Sequence, residues 1–245
     1  MKPKDEDTRL KARCCRGGAG RMPVSRVRGI EAGAAKAEVR QAAKMKIGIL
    51  AVQGDFEAHA AMLRELGAET VEVRTVADLE GCDGLVLPGG ESTTQLQFLE
   101  EEGLHAAIRK FSAKGGAIFG TCAGAILLAT QVKNPQQDSL KLLDMTVLRN
   151  GYGRQLASDV FFGLSTLKKE PLEMVFIRGP IIERVAPGVE VLAKHAGKPA
   201  LVQKGKTLAA TFHPELTNDT TVHEHFLKLV ANGGGGHKVQ GRRSS

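Results

Sequence analysis

Short apolar runs that alternate with turn and helix patterns constrain this chain more than any other feature. Lys46 to Val52 (KIGILAV) suits a strand buried on both faces, and it leads through Gln53-Gly54-Asp55 into a segment where Phe56, Ala60, Leu63 and Leu66 share one helical face. Glu69 to Thr75 (ETVEVRT) alternates as a strand, Asp83 to Leu87 (DGLVL) is a second buried run, and Ala117 to Phe119 is a short strand that ends at a Gly-Thr-Cys-Ala-Gly turn. Helices are expected from Ser92, read as the cap, and over Ala125 to Thr130. Repeated strand and helix units set consecutive strands parallel, because each crossover returns over a face of the sheet. From Leu142 the pieces become shorter and β-like, at 143–148, 173–178, 189–193, 199–203 and 207–212. An amphipathic helix over Thr217 to Val230 closes the pattern, with Val222, Phe226, Leu229 and Val230 on one side and His223 and His225 read as solvated. The expectation is a single α/β domain of three layers, with a mostly parallel central sheet flanked by helices.

Charge narrows the function. Of the net +7, all resides in residues 1–44, which hold 12 Lys and Arg against 5 Asp and Glu, so the remainder holds 22 of each. The expected domain therefore has no basic surface for nucleic acid or phospholipid. With 4% aromatics, one Tyr and no Trp, it also lacks a platform for stacking bases. Residues 1–44 read as a disordered basic leader ahead of a natural start at Met45, and Asp5, Glu6 and Asp7 argue against an organellar transit peptide. The domain is expected over 45–232, and 233–245 (GGGGHKVQGRRSS) reads as a flexible Gly-rich tail. No stretch reaches the ~20 consecutive apolar residues of a membrane-spanning helix, and no secretory apolar segment opens the chain. Cys14, Cys15, Cys82 and Cys122 show neither a CxxC spacing nor a disulfide framework, so the cytoplasm is the expected location.

Ligands of open α/β sheets bind beyond the carboxyl ends of the strands, and three polar segments fall there. Pro88-Gly89-Gly90-Glu91-Ser92 can turn backbone N–H groups toward a ligand, although Pro-Gly-Gly is also an ordinary turn. Phe119-Gly120-Thr121-Cys122-Ala123-Gly124 has the form of a nucleophile elbow with sulfur in place of oxygen, where the following helix favours thiolate over thiol. A buried structural cysteine is the alternative, and it is the reading adopted for Cys82. Phe212-His213-Pro214-Glu215 supplies a base and a carboxylate able to fix its tautomer. Among seven histidines, His213 alone follows an expected strand and has a carboxylate two residues on. A zinc set of His213, His223 and His225 lacks the i, i+4 ligand spacing of a helical site and a nearby Cys, so no metal is expected.

PGGES, FGTCAG and FHPEL, in this order, resemble the class I, triad-type glutamine amidotransferases. KIGILAVQGDFEAH, LRNGYGRQ and VFIRGP resemble one branch of them, the glutaminase subunit family of pyridoxal 5′-phosphate synthase (PdxT/SNO), over about residues 45–231. The resemblance implies hydrolysis of L-glutamine to L-glutamate and ammonia through a cysteine thioester, with the ammonia passed to a synthase subunit of PdxS/SNZ type for vitamin B6 biosynthesis. It implies Cys122 as nucleophile, His213 as general acid and base, Glu215 as its orienting carboxylate, and the backbone N–H groups of Gly90 and Ala123 as oxyanion hole. Glutamine contacts fall on Gly90, Glu91, Ser92, Arg149, Ile177 and Arg178, and Gln53 falls in a loop coupled to the partner, acting through backbone orientation rather than its amide. No cofactor is implied. An Arg and a carboxylate are the complementary handles for the α-carboxylate and α-ammonium of free glutamine, yet on the residues alone Arg149 and Arg178 read as exposed salt-bridge partners at strand ends. A glutaminase for imidazole-glycerol phosphate or nucleotide synthesis fits VQGDFEAH and RNGYGRQ less well. A redox sensor has no need of His213 and Glu215.

Overall fold

The computed structural model describes residues 45–151 and 159–232; the expected leader 1–44 and tail 233–245, and residues 152–155 of the LRNGYGRQ segment, lie outside the described residues. Five strands form the parallel centre: β1 (Lys46–Leu50), β2 (Glu69–Val73), β3 (Gly84–Leu87), β4 (Ala117–Thr121) and β12 (Thr207–Ala210). Two antiparallel strands, β10 (Glu190–His195) and β11 (Lys198–Lys204), extend it to seven in the order β10-β11-β12-β4-β3-β1-β2. Every residue of β3, β4 and β12 is buried, as unalternating apolar runs require of strands covered on both faces. At the edge, β2 keeps Glu69 and Glu72 outside, charges that discourage pairing with another chain.

The two-residue period of the strands divides the core into two layers. Ile47, Ile49, Val86 and Phe119 point to one face, covered by α1 (Phe56–Glu65) and α5 (Thr221–Ala231) through Leu63, Val222 and Phe226. Leu50, Leu85, Leu87 and Ile118 point to the other, covered by α2 (Ser92–Glu101), α3 (Leu104–Ala113) and α4 (Ala123–Leu128) through Leu96, Leu99, Leu104, Ile108 and Ala125. The three-layer α/β expectation holds. Among the described residues, no helix is long and apolar enough to cross a membrane.

Differences from expectation cluster after Cys122. The helix expected over 125–130 begins at Ala123 and stops at Leu128, where Ala129 opens β5 (Ala129–Lys133); the β-branched Thr130 and Val132 favour the strand. β6 (Leu143–Leu148) forms as expected and joins β5 and β9 (Ile181–Val185) in a small sheet. β7 (Asp159–Gly163) pairs with β8 (Leu172–Phe176), which ends before the expected 178 because Arg178 turns to φ 44°. The closing helix begins at Thr221 rather than Thr217, since Asp219 accepts from the Thr221 backbone N–H at 3.2 Å and fixes the start there.

The register sets the site. Leu87 of β3 lies opposite Gly120 of β4, and Ala210 of β12 lies opposite Thr121, so the chain leaves three adjacent strands at one level. The loops that follow carry Gly89 to Glu91, Cys122, and His213 to Glu215.

Candidate active site

Between β4 and α4 there is one residue, Cys122. Its φ of 47° and ψ of −99° are left-handed values for a residue with a side chain, a conformation that costs about 1–3 kcal/mol and persists where the surroundings over-determine it. The surroundings are visible: Cys122 N–H donates to the Ala210 carbonyl at 2.9 Å, and its own carbonyl accepts from Ile126 N–H at 3.2 Å. Close approach of α4 to β3 completes the turn, since a Cβ on Gly124 would stand 1.9 Å from the Leu87 carbonyl oxygen.

His213 leaves β12 with its N–H donating to the Val175 carbonyl of β8 at 2.8 Å. Pro214 then opens a 3₁₀ turn that brings Glu215 back beneath the ring, with Oε1 2.8 Å from His213 Nδ1. Gly89 admits the ring from the other side, because a Cβ there would lie 2.4 Å from His213 Cε1. Both His213 and Glu215 are buried. Burial pulls the His213 imidazole down, but interactions in which it donates to Cys122 and Glu215, with their charges, raise it to about 10. Burial also pushes the Glu215 carboxyl up against the pull of His213. The loops thus set Cys122 near enough to His213 to raise its imidazole, and Glu215 in a hydrogen bond with the same ring. Asp55 Oδ2 stands 3.8 Å from His213 Nδ1, and ligand-capable atoms of Asp55, His213 and Glu215 lie within 4.8 Å of one another. His213, His223 and His225 do not come together as a ligand set among the described residues.

The remaining expected site residues surround this series in two groups. Gly90 is exposed at φ 132°, and Gln53 Nε2 donates to the Glu91 carbonyl at 2.9 Å, so its amide, not its backbone alone, ties the first loop to PGGES. Glu91 is the cap of α2, accepting from Thr94 N–H at 3.0 Å, which corrects the assignment of that role to Ser92. Its Oε1 lies 2.8 Å from Arg149 Nη2, and Arg149 also donates to Thr93 Oγ1 at 2.8 Å. Ser92 is buried and its hydroxyl donates to Gln137 Oε1 at 3.0 Å. Ile177 and Arg178 are exposed in the turn after β8, the strand whose Val175 holds His213.

Residues 49–232 match the SNO glutamine amidotransferase family. The chain belongs to that family. It is 55% identical over 194 residues to pyridoxal 5′-phosphate synthase subunit PdxT of Koribacter versatilis, covering 79% of this chain and 100% of that protein. The subunit PdxT of Thermotoga neapolitana is 46% identical over 187 residues, covering 76% and 100%. A crystal structure of a glutamine amidotransferase aligns with a TM-score of 0.71 at 45% identity, over 75% of this chain and 98% of that one.

Sequence reasoning missed several residues that shape this SNO-family site. Gln95, buried in α2, donates to the Pro88 and Gly89 carbonyls at 3.2 and 3.1 Å and so holds the PGG turn; a Gln on an otherwise apolar helix face was the available signal. His223, expected in solvent, is fully buried, because α5 buries a wider face than its four apolar positions indicate. It meets His59 of α1, also fully buried, with His59 Nδ1 2.9 Å from His223 Nε2. Burial lowers His223 to about 3, and burial, His223 and His213 hold His59 well below its usual value. His225 is half-buried and pairs with Gln203.

An acid-stability prediction follows from these neutral imidazoles. A histidine with a depressed folded pKa binds its proton first in the unfolded chain, so stability is full above about pH 6.5 and falls toward pH 3, by up to ~1.4 kcal/mol per pH unit for each group. Glu215, with its carboxyl pushed up, acts in the opposite sense. Comparing His223→Leu with the unaltered protein isolates the imidazole: denaturant titrations at pH 7, 5.5 and 4.5 should show a shallower acid loss in the variant. Parallel losses would contradict a neutral buried His223.

Proposed function

We propose that this SNO-family member is a glutaminase that hydrolyses L-glutamine to L-glutamate and ammonia as a subunit of a pyridoxal 5′-phosphate synthase, delivering the ammonia to a synthase subunit of PdxS/SNZ type. The observation that carries the reading is the positive φ of Cys122 at the end of β4, where its sulfur raises the imidazole of a His213 that Glu215 holds at 2.8 Å. A sulfur next to an imidazolium is the resting state of a cysteine nucleophile with its acid already charged.

In this reading the Cys122 thiolate attacks the side-chain amide carbon of glutamine, and the carbonyl electron pair moves to oxygen. Backbone N–H groups of Gly90 and Ala123 receive that oxyanion, each donor being worth about 3 kcal/mol of barrier. His213 gives its Nε2 proton to the leaving nitrogen, ammonia departs, and a thioester remains. Neutral His213 then takes a proton from water as the water attacks the thioester, which releases glutamate and restores the imidazolium and thiolate. Arg149 and Glu91, paired with each other at 2.8 Å, are the charges that the α-carboxylate and α-ammonium of glutamine engage, with Ser92, Ile177 and Arg178 completing the pocket wall. Gln53, bonded to the Glu91 carbonyl, couples the first loop to this wall and is the route by which a bound synthase acts on the site. A free thiol nucleophile fits a reducing cytoplasm.

Ammonia and glutamate release from glutamine, measured alone and with a purified PdxS/SNZ-type subunit, tests the reading. Equimolar products are expected, at a rate that rises when the synthase is added. Arg149→Ala should raise KM for glutamine by about tenfold or more with a smaller change in kcat, since an ionic contact made equally in ground and transition states is lost. No ammonia in either arm contradicts the activity; a rate indifferent to the synthase contradicts the partner.

A further inference from the structure

Behind Glu215 lies an imidazole pair that the chemistry above does not use. The Glu215 carboxylate is divided between two rings: Oε1 faces His213 Nδ1 at 2.8 Å, and Oε2 faces His59 Nε2 at 3.4 Å. That approach is a charge contact and not a formed hydrogen bond, since Oε2 has no hydrogen-bond partner among the described residues. His59 Nε2 also lies 3.1 Å from the hydroxyl of Thr121, the residue before Cys122, and Nδ1 lies 2.9 Å from His223 Nε2. Glu215, His59 and His223 are all buried.

The proton on each neutral ring can be assigned from satisfaction alone. Only one hydrogen joins His59 to His223. If His59 Nδ1–H donated it, the His59 Nε2 lone pair would face the Glu215 carboxylate, and His223 would carry its proton on Nδ1, which has no partner among the described residues. That arrangement sets a lone pair against a charge and orphans a buried donor. In the reverse arrangement His223 Nε2–H donates to His59 Nδ1, His59 carries its proton on Nε2 toward Thr121 and Glu215, and the unpartnered His223 Nδ1 is a bare acceptor. Both buried ring N–H groups then have acceptors, His223 Nε2–H on His59 Nδ1 and His59 Nε2–H on Thr121 Oγ1. Burial keeps both rings neutral, which suits a fixed donor.

We propose that His59 is a positioning residue of the Cys122, His213 and Glu215 series: its Nε2–H, in the tautomer imposed by His223 and bonded to Thr121, turns its positive end toward Glu215 Oε2 at 3.4 Å and thereby favours the carboxylate orientation that aims Oε1 at His213. The inference rests on the glutaminase reading for its kinetic consequence and on geometry for its structural one. Without that contact the carboxylate is free to turn about its terminal bond, and His213 loses a fixed orientation toward sulfur.

Two variants and one spectrum test it in the full-length chain. His59→Leu should lower kcat by about tenfold or more with KM for glutamine within about twofold, and His59→Gln, which can place an N–H near the Nε2 position, should recover to within about threefold of the unaltered protein. Equal losses in both variants, or a loss carried in KM, overturn the proposal. Should His59→Leu fail to fold, long-range ¹H–¹⁵N spectra of the unaltered protein decide: protons on Nε2 of both His59 and His223 support it, and a proton on His59 Nδ1 overturns it. Those spectra do not depend on turnover. Absence of ammonia release together with an Nε2 proton on His59 would therefore remove the glutaminase reading while leaving the positioning of Glu215 in place.

Discussion

Replacing Cys122 by alanine is expected to lower glutaminase turnover by a factor on the order of 10⁶, the scale seen when the nucleophile of an acyl-transfer site is removed. The loss is of this size because the remaining groups cannot substitute: His213 can move a proton, but the nearby hydroxyls of Ser92 and Thr121 are engaged with Gln137 and His59. Stability should change little. The side chain is small, the alanine keeps the same backbone demand at φ 47°, and the bonds from Cys122 N–H to Ala210 and from Ile126 N–H to Cys122 are backbone bonds that survive the change. Circular dichroism and Tm would confirm the fold, and coupled ammonia detection would measure the rate. A companion Cys82→Ala variant gives the contrast. The Cys82 thiol donates to the Asp78 carbonyl at 3.4 Å and burial pushes it up, so it stays a thiol away from the strand ends; its removal should leave turnover near normal. Comparable activity in Cys122→Ala and the unaltered protein would remove the functional reading altogether.

The legible part of this fold is the part governed by local period. Strands such as DGLVL and TLAATF announce themselves because a strand buried on both faces needs an unbroken apolar run, and β3 and β12 appear within two residues of the expected bounds. The segment after Cys122 was less legible because its strands are short and mixed. Ala129 and Thr130 read as a helix end, but with the residues to Lys133 they are drawn into a strand by pairing with Leu143 to Leu148, a partner ten or more residues away. β7 is largely exposed, with Phe162 among the exposed apolar residues, so no burial pattern marked it.

The site divides in the same manner. Cys122, His213 and Glu215 could be picked out because each stands at the end of a strand in a distinctive local sequence, and the parallel register then forces them together. Arg149 and Glu91 could not be paired by any rule of spacing, since 58 residues separate them. His59 and His223 were further out of reach. They are 164 residues apart and meet only because α1 and α5 cover the same face of the sheet. A lone histidine on an amphipathic helix has no sequence mark that distinguishes a buried, tautomer-fixed ring from a solvated one.

Glu215→Gln is the variant in which these buried contacts should be felt most sharply. The change is nearly isosteric and the position is buried, so the fold is retained, yet kcat should fall by about 10⁴, as when the orienting carboxylate of a related triad is amidated. The cause is a proton in the wrong place. With the His59 Nε2 atom facing the far side of the residue at 3.4 Å, the amide oxygen settles there to accept from it, and the NH₂ group is left facing His213 Nδ1. That nitrogen must then be an acceptor, which puts the ring proton on Nε2 against the sulfur and deprives Cys122 of its base. Loss of the carboxylate also removes one of the two partners that hold His213 up at about 10. The sign for stability follows from that value. A histidine raised on folding contributes fully below the unfolded value of about 6.5, and the contribution disappears as pH rises through about 10. The raised Glu215 carboxyl acts in the same direction. Stability of the unaltered protein relative to Glu215→Gln should therefore decline from pH 6 to pH 10 in denaturant titrations, while the kcat deficit persists at every pH at which both proteins are folded. A variant with near-normal kcat, or a relative stability that climbs with pH, would show that Glu215 neither orients His213 nor sustains its charge.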